Sequence, residues 1–270
     1  MIKRPVVAGS FYPDEKSALT ELLGNLVKAP EKVNKNKPYA IISPHAGYEY
    51  SGKTAGSIYG IVKQFKYKNA IIIAPSHYNN SCDFFIGNYG SYQTPMGDLK
   101  TNQEIIQKLI AKPGFNFNTS IDSKEHSLET QLPFLHYINP DLRITPIIFV
   151  RQNLLNAKRL ADYLQEFLND ETLLVVSTDL SHFHDSNEAE MMDNKLIELV
   201  KNNDTDSLYV EIMNKKIEAC GFGGILTLMF ANRAQNNVMI DNITYTHSGK
   251  ITNDNTRVVG YFSCGFYRQG

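Results

Sequence analysis

The sequence predicts an α/β fold: one domain built on a mixed, mostly parallel sheet with helices on both faces. Short apolar runs without polar alternation, Ala40-Ile41-Ile42, Ala70-Ile71-Ile72-Ile73 and Leu173-Leu174-Val175-Val176, read as strands buried on both sides. Segments of helical periodicity separate them, and strands alternating with helices favour a sheet covered on both faces. The last stretch departs from this alternation, which makes the sheet mixed.

In order along the chain, residues 14–28 form an amphipathic helix, with Ala18, Leu19, Leu22, Leu23, Leu26 and Val27 at helical spacing. Residues 28–38 are polar and proline-bounded, and read as a surface loop. The first strand follows, then a helix from about residue 51 to 63. The second strand runs to His77, and residues 83–86 suggest a short additional strand. Residues 103–111 and 123–137 read as helices, 143–150 as a strand, 154–168 as a helix and 172–177 as a strand. Helices are expected over 187–201 and 207–215, with another starting near Cys220. Residues 243–246 and 258–266 close the chain as strands. No repeat, low-complexity tract or long linker interrupts the pattern, so residues 1–270 are expected to form a single domain.

Composition narrows the function classes. A hydrophobic content of 42% and a charged content of 20% fit a globular protein with a full core. Lys+Arg is 27 against 28 for Asp+Glu, so no bulk field favours nucleic acid or an anionic membrane as partner. The longest apolar run, residues 223–231, falls far below the roughly 20 residues that span a bilayer. The N-terminus lacks the apolar core and cleavage site of a signal peptide. Cys82, Cys220 and Cys264 are odd in number and form no C-x-x-C pair, which favours a reducing, cytoplasmic setting.

Each of the three apolar strands ends in chemistry. The first runs through Ser43-Pro44 to His45, the second through Pro75-Ser76 to His77, and the third through Ser177-Thr178 to Asp179 and then His182. Open α/β sheets bind ligands just beyond the carboxyl ends of their strands, so these groups are expected to line one crevice. A lone strand-end histidine more often hydrogen-bonds a turn. Two in matching contexts, S-P-H and P-S-H on neighbouring strands, point to metal ligands. Asp179 precedes His182 by three residues, a spacing that suits a carboxylate orienting an imidazole, or an acid–base pair on a substrate. An N-cap role for Asp179 is the alternative. His184 is expected to point away.

Cys220 stands in A-C-G-F-G-G ahead of an apolar helix, where a helix N-terminus favours thiolate. From spacing alone, a small buried residue at a tight glycine-rich corner is the favoured reading, and Cys82 and Cys264 read as structural. His126, in K-E-H-S-L-E, opens a predicted helix with Leu128, Leu132 and Leu135 on one face. Glu125 and Glu129 could support it or a substrate, and a capping role for Ser123 with Glu near the helix start explains part of this equally well. His136 reads as a helix-end residue, while His247 stays open between site and surface.

Gly47 to Thr54, G-Y-E-Y-S-G-K-T, satisfies the phosphate-loop pattern between a strand and a helix. Two tyrosines crowd what must be a close backbone cradle, and Glu49 would set an anion beside the phosphates. Ser51 as a helix N-cap, with Lys53 in the first turn, is the favoured reading over a nucleotide site.

Taken together, R-P-V-V-A-G-S-F-Y-P, I-S-P-H-A-G-Y-E-Y-S-G, A-P-S-H, Y-Q-T-P-M-G-D-L, E-H-S-L-E-T-Q-L-P-F-L, S-T-D-L-S-H-F, C-G-F-G-G and V-V-G-Y-F-S resemble, in order, the MEMO family, known in bacteria and archaea as AmmeMemoRadiSam system protein B. The resemblance covers nearly the whole chain and turns the phosphate-loop match into a variant of the family's H-A-G-Y-x-Y-S-G. It implies a fold similar to class III extradiol dioxygenases, non-haem iron enzymes that hold their metal with two histidines and a carboxylate. By that resemblance His45 and His77 are the two histidine ligands, Cys220 takes the third position, and Asp179 and His182 are pocket residues, with His182 moving a proton. The implied cofactor is one transition metal ion, iron or copper, with zinc as a third candidate, because thiolate softens the site. The implied function is a metal-dependent redox enzyme acting on a small molecule. The alternative is a non-enzymatic metal- or phosphopeptide-binding protein. The prokaryotic family name also points to an AMMECR1-domain protein and a radical SAM protein as candidate partners.

Overall fold

The computed structural model describes residues 1–31, 33–34, 36–78, 80–119, 124–235 and 238–269. In chain order its strands are β1 (Ile2–Lys3), β2 (Pro38–Ser43), β3 (Asn69–Pro75), β4 (Phe84–Gly87), β5 (Ser91–Thr94), β6 (Gly97–Lys100), β7 (Phe115–Asn118), β8 (Arg143–Phe149), β9 (Thr172–Ser177), β10 (His182–His184), β11 (Val238–His247) and β12 (Val258–Arg268). The helices are α1 (Lys16–Leu26), α2 (Tyr48–Val62), α3 (Gln103–Ile110), α4 (Leu132–Ile138), α5 (Leu154–Leu164), α6 (Ser186–Lys201), α7 (Thr205–Met213), α8 (Phe222–Arg233) and α9 (Gly249–Thr252).

Nine strands form one mixed sheet in the order β10-β12-β2-β9-β3-β8-β4-β7, with β11 also paired to β12. The apolar strands β2, β9, β3 and β8 are parallel at its centre. Antiparallel pairing enters where β12 meets β2 and where β4 meets β8. A separate three-stranded sheet, β1-β5-β6, packs to the side.

Side chains alternate across the central strands, as a pleat requires. Ile41, Ile72 and Val175 join a cluster with α1, α2 and α4, while Ile42, Ile73 and Val176 join one with α3, α5, α6, α7 and α8. Burying each such side chain contributes about 1.5–3 kcal/mol, so the two faces anchor the strand ends firmly.

Helix α2 begins at Tyr48 with Gly47 as N-cap, earlier than the sequence pattern suggests. Ser51, Gly52, Lys53 and Thr54 are therefore helical, and Ser51 donates its hydroxyl to the carbonyl of Ala46 instead of capping. Gly56 and Gly60 explain the glycine spacing, because a Cβ at either would overlap the backbone at Leu26 or Ala29. Gly52 belongs to the same stripe, with Leu26 against it. Close helix approach accounts for the glycine of the phosphate-loop pattern.

The helix predicted over 123–137 is shorter. Ser123 lies outside the described residues, residues 124–128 are irregular, a 3₁₀ turn covers Glu129–Gln131, and α4 starts only at Leu132. Pro133 in the first turn of α4 lacks an N–H and favours a helix start there. Among the described residues, no helix is long and apolar enough to cross a membrane.

Candidate metal centre at the carboxyl ends of the sheet

Strands β2, β9 and β3 are consecutive in the sheet, and their carboxyl ends deliver His45, Asp179 and His77 to one place. β2 and β3 are not direct neighbours. β9 lies between them, so Ser177 and Asp179 come up between the two histidines. The irregular segment before α4 brings His126 over the same spot. One ring nitrogen from each of His45, His77 and His126 lies within 4.8 Å of the others. The His77 and His126 rings stack with centroids 4.8 Å apart, and His45 stands edge-on to both.

Two of the rings have partners that fix their rotation. His45, 2% exposed, meets Ser177 Oγ through Nδ1 at 3.0 Å. That hydroxyl donates to the carbonyl of Ser127 at 2.6 Å, so it accepts from His45, which leaves Nε2 of His45 as the free lone pair. His77 meets Glu125 Oε1 through Nδ1 at 2.9 Å. Buried Glu125 also accepts the backbone N–H groups of His77, His126 and Ser127. This is the outer-shell arrangement by which proteins aim imidazole ligands.

The electrostatics follow from burial. Desolvation holds His45 well below the usual histidine range, and the neighbouring His77 and His126 push it further down. His126 is lowered mainly by desolvation as well. Both rings thus favour the neutral, metal-binding form. Burial alone, the largest single effect, would lower His77 too, but the hydrogen bond to Glu125 and the charges of Glu125 and Asp179 together outweigh it and raise His77. Burial alone would raise Glu125, and the bonds from His77 and the backbone bring it down to about 2.

Cys220 comes to the His45 ring, its Sγ 3.2 Å from Nε2, the nitrogen that Ser177 leaves free. Its loop is held by Gln152, which donates to the Cys220 carbonyl and accepts from Gly223 N–H. Gly221 fits against β9 where a Cβ would meet the Ser177 carbonyl oxygen at 2.5 Å. The thiolate expected from the helix terminus is not favoured. Burial raises the thiol, the Asp179 carboxylate raises it further, and both outweigh the N–H that Asp179 donates to Sγ at 3.3 Å. The three-histidine group is completed by His126, with Cys220 on the flank of His45. His126 falls outside the ligand set expected from sequence because its helical periodicity places it on a helix start, and only the adjoining Glu125 hints at a site.

Asp179 serves His45 rather than His182. Its Oδ1 accepts the His45 backbone N–H at 2.8 Å, and its Oδ2 lies 3.9 Å from His45 Nε2. Burial raises its carboxyl, against the N–H groups of His45 and Ala46. Among the described residues no hydrogen bond joins His182 to Asp179, although His182 is near enough to favour the charged form of that carboxyl. His182 instead borders a cavity of about 280 Å³ shared with Cys220, its backbone held by Glu218. His184 pairs with Glu188 and Glu218. His247 is fully buried at the end of β11 against Glu190, outside the three-histidine group.

Comparison with known proteins places this geometry. The chain matches the family described as Memo-like protein over residues 3–264. A MEMO1 family protein of Nitrosopumilus maritimus (strain SCM1) is 31% identical over 274 residues, covering 98% of this chain and 100% of that one. Another from Thermotoga neapolitana is 32% identical over 278 residues, covering 97% and 99%. A third, from Thermoplasma volcanium, is 32% identical over 271 residues and covers both chains fully. Among solved structures, an uncharacterized protein, JW3007 from Escherichia coli K12, is 12% identical with a TM-score of 0.48, covering 83% of this chain and 98% of that one. With the family match running almost from end to end, and relatives matched over essentially their whole lengths, the chain belongs to the Memo-like protein family.

Proposed function

We propose that this protein is a cytoplasmic, metal-dependent redox enzyme of dioxygenase-like type, holding iron or copper at His45, His77 and His126. The observation that carries the reading is the convergence of three imidazoles beside a cavity that reaches Cys220 and His182. The donor set fits: two of the rings are neutral by burial, and two are rotationally fixed from behind by Ser177 and Glu125. Zinc suits the same imidazoles, and redox function separates it from the other two. When bound, such an ion supplies Lewis-acid and one-electron chemistry, with a position left open by three protein ligands.

The chain's own residues have separate tasks. Glu125 keeps Nδ1 of His77 occupied, so that only Nε2 is offered. Asp179 fixes the His45 backbone. Cys220 brings a protonated thiol to the cavity side of His45. His182 exchanges a proton through a ring nitrogen with a molecule in the cavity. The three free cysteines support the cytoplasmic setting. An AMMECR1-domain protein and a radical SAM protein are proposed as partners on the family resemblance alone.

A second reading, a metal- or phosphopeptide-binding protein, draws on two exposed aromatics beside the site. Tyr78 follows His77, and Phe183 follows His182 in a left-handed conformation (φ 65°), with the Arg257 guanidinium 5.1 Å from its ring. The deciding experiment is anaerobic purification and elemental analysis, followed by oxygen-uptake assays of the iron- and copper-loaded protein on catechols and thiols. About one metal per chain and an uptake rate above that of free metal are expected. Metal binding without uptake favours the binding protein.

A further inference from the structure

The cavity beside Cys220 has an apolar wall and one unpaired charge. Ile212, Ile217 and Phe222 line it together with His182 and Cys220. Two charged side chains also border it. Glu218 is engaged on both oxygens, Oε2 accepting from His182 N–H at 3.2 Å and Oε1 meeting His184 Nε2 at 3.1 Å. Lys215 has no ion-pair partner among the described residues. It sits just past α7 in a left-handed conformation (φ 56°), its N–H bonded to the Ile212 carbonyl. Together with the Lys216 N–H on the Glu211 carbonyl, this is the common left-handed ending of a helix, and it sets the exposed Lys215 at the rim of the cavity. The depression, about 280 Å³ and open to solvent on one side, has room for a small molecule.

We propose that this cavity binds a small organic carboxylate, its charge at Lys215, its apolar body on Ile217 and Phe222, and its far end against Cys220 and His182. The proposal rests on the enzymatic reading above for its purpose and names the substrate class of that site. Binding itself depends on Lys215 and the cavity wall, without the metal.

The test is isothermal titration of chelator-treated, metal-free protein with 3-phenylpropanoate, its neutral amide and 3-phenylpropylamine. The acid should bind about fivefold more tightly than the amide, the range of a partly exposed ion pair. Lys215→Met should erase that difference, and Lys215→Glu should transfer the preference to the amine. Phe222→Ala should weaken acid and amide alike. Equal affinity for acid and amide, an acid preference that survives in Lys215→Glu, or no binding of any of the three ligands overturns the proposal. The metal content of H45A, measured separately, reads the enzymatic proposal. A protein that holds no metal yet prefers the acid through Lys215 would retain this site and lose that function.

Discussion

Nδ1 of His77 lies 2.9 Å from Oε1 of Glu125, and the same oxygen accepts the backbone N–H groups of His126 and Ser127. One buried carboxylate therefore aims one imidazole and anchors the loop that carries another. The strand end and the pre-helical segment are otherwise independent, and Glu125 ties them into one site.

Replacing Glu125 should therefore damage metal binding without touching a ligand. Glu125→Gln retains an acceptor oxygen for part of the network, whereas Glu125→Ala removes it all. Loss of an outer-shell partner typically costs about 10–100-fold in metal affinity, and Glu125→Ala should lie at or beyond the upper end. Competition against a chromophoric chelator reads the affinity. Unchanged affinity in both variants would separate Glu125 from the metal.

The third ligand is decided by comparing His126→Ala with Cys220→Ser. The geometry groups His126 with His45 and His77, and sets Cys220 Sγ at 3.2 Å from His45 Nε2. His126→Ala should abolish stoichiometric binding, as His45→Ala and His77→Ala should, while Cys220→Ser keeps about one metal per chain. A sulfur-to-metal charge-transfer band in the copper-loaded protein, lost in Cys220→Ser, would reverse the assignment.

The strand ends were legible because buried parallel strands are apolar runs and their carboxyl ends bind ligands; His45, His77 and Asp179 followed from that alone. The order β2-β9-β3 was not, because strand pairing depends on long-range packing that no local pattern encodes. The short strands β5, β6 and β7 carry too few apolar residues to stand out. His126 was obscured by a helical periodicity in Leu128, Leu132 and Leu135 that the chain honours only from residue 129 onward. The contact of Asp179 with His45 was hidden for a related reason: spacing along the chain points to His182, whereas the sheet brings His45 beside it.

The glycine stripe of α2 gives a stability prediction. A Cβ at Gly56 overlaps the Leu26 carbonyl, so Gly56→Ala should destabilise by about 1–3 kcal/mol or more, read as a shift in denaturant midpoint. Lys53 is exposed and helical, so Lys53→Ala should leave stability nearly unchanged, and ATP should not bind either form. Saturable ATP binding that Lys53→Ala removes would restore the nucleotide reading.

Asp193 gives the pH dependence. It is fully buried, and desolvation raises its carboxyl from 3.8 to about 6 against hydrogen bonds from Ser181 N–H and the Tyr245 hydroxyl. A folded-state pKa above the unfolded one means that the native state holds the proton more tightly. Its stabilising contribution is complete below the unfolded value and is lost as pH rises through the folded one. About 3 kcal/mol should disappear between roughly pH 4 and 6 from this group. Asp193→Asn should flatten that portion of the stability curve, measured by urea unfolding at successive pH values. An unchanged slope in the variant would remove Asp193 as its source.

His182 and Asp179 should fail differently. His182 touches the cavity and not the three-histidine group, so His182→Ala should keep the metal and lose turnover by about 10²–10⁴-fold if a ring nitrogen carries a proton in the reaction. Asp179 holds the His45 backbone, so Asp179→Ala should weaken metal binding first and lose activity as a consequence. Asp179→Asn, which retains an oxygen for the His45 N–H, should recover part of the metal affinity. Elemental analysis and oxygen uptake on the same samples separate the two effects. Were His182→Ala to lose its metal, or Asp179→Ala to keep full metal with no turnover, the roles would be exchanged and the orienting function would return to Asp179. If no variant has an uptake rate to lose and His182→Ala changes only the affinity of a phosphotyrosine peptide or of copper, the site belongs to a binding protein.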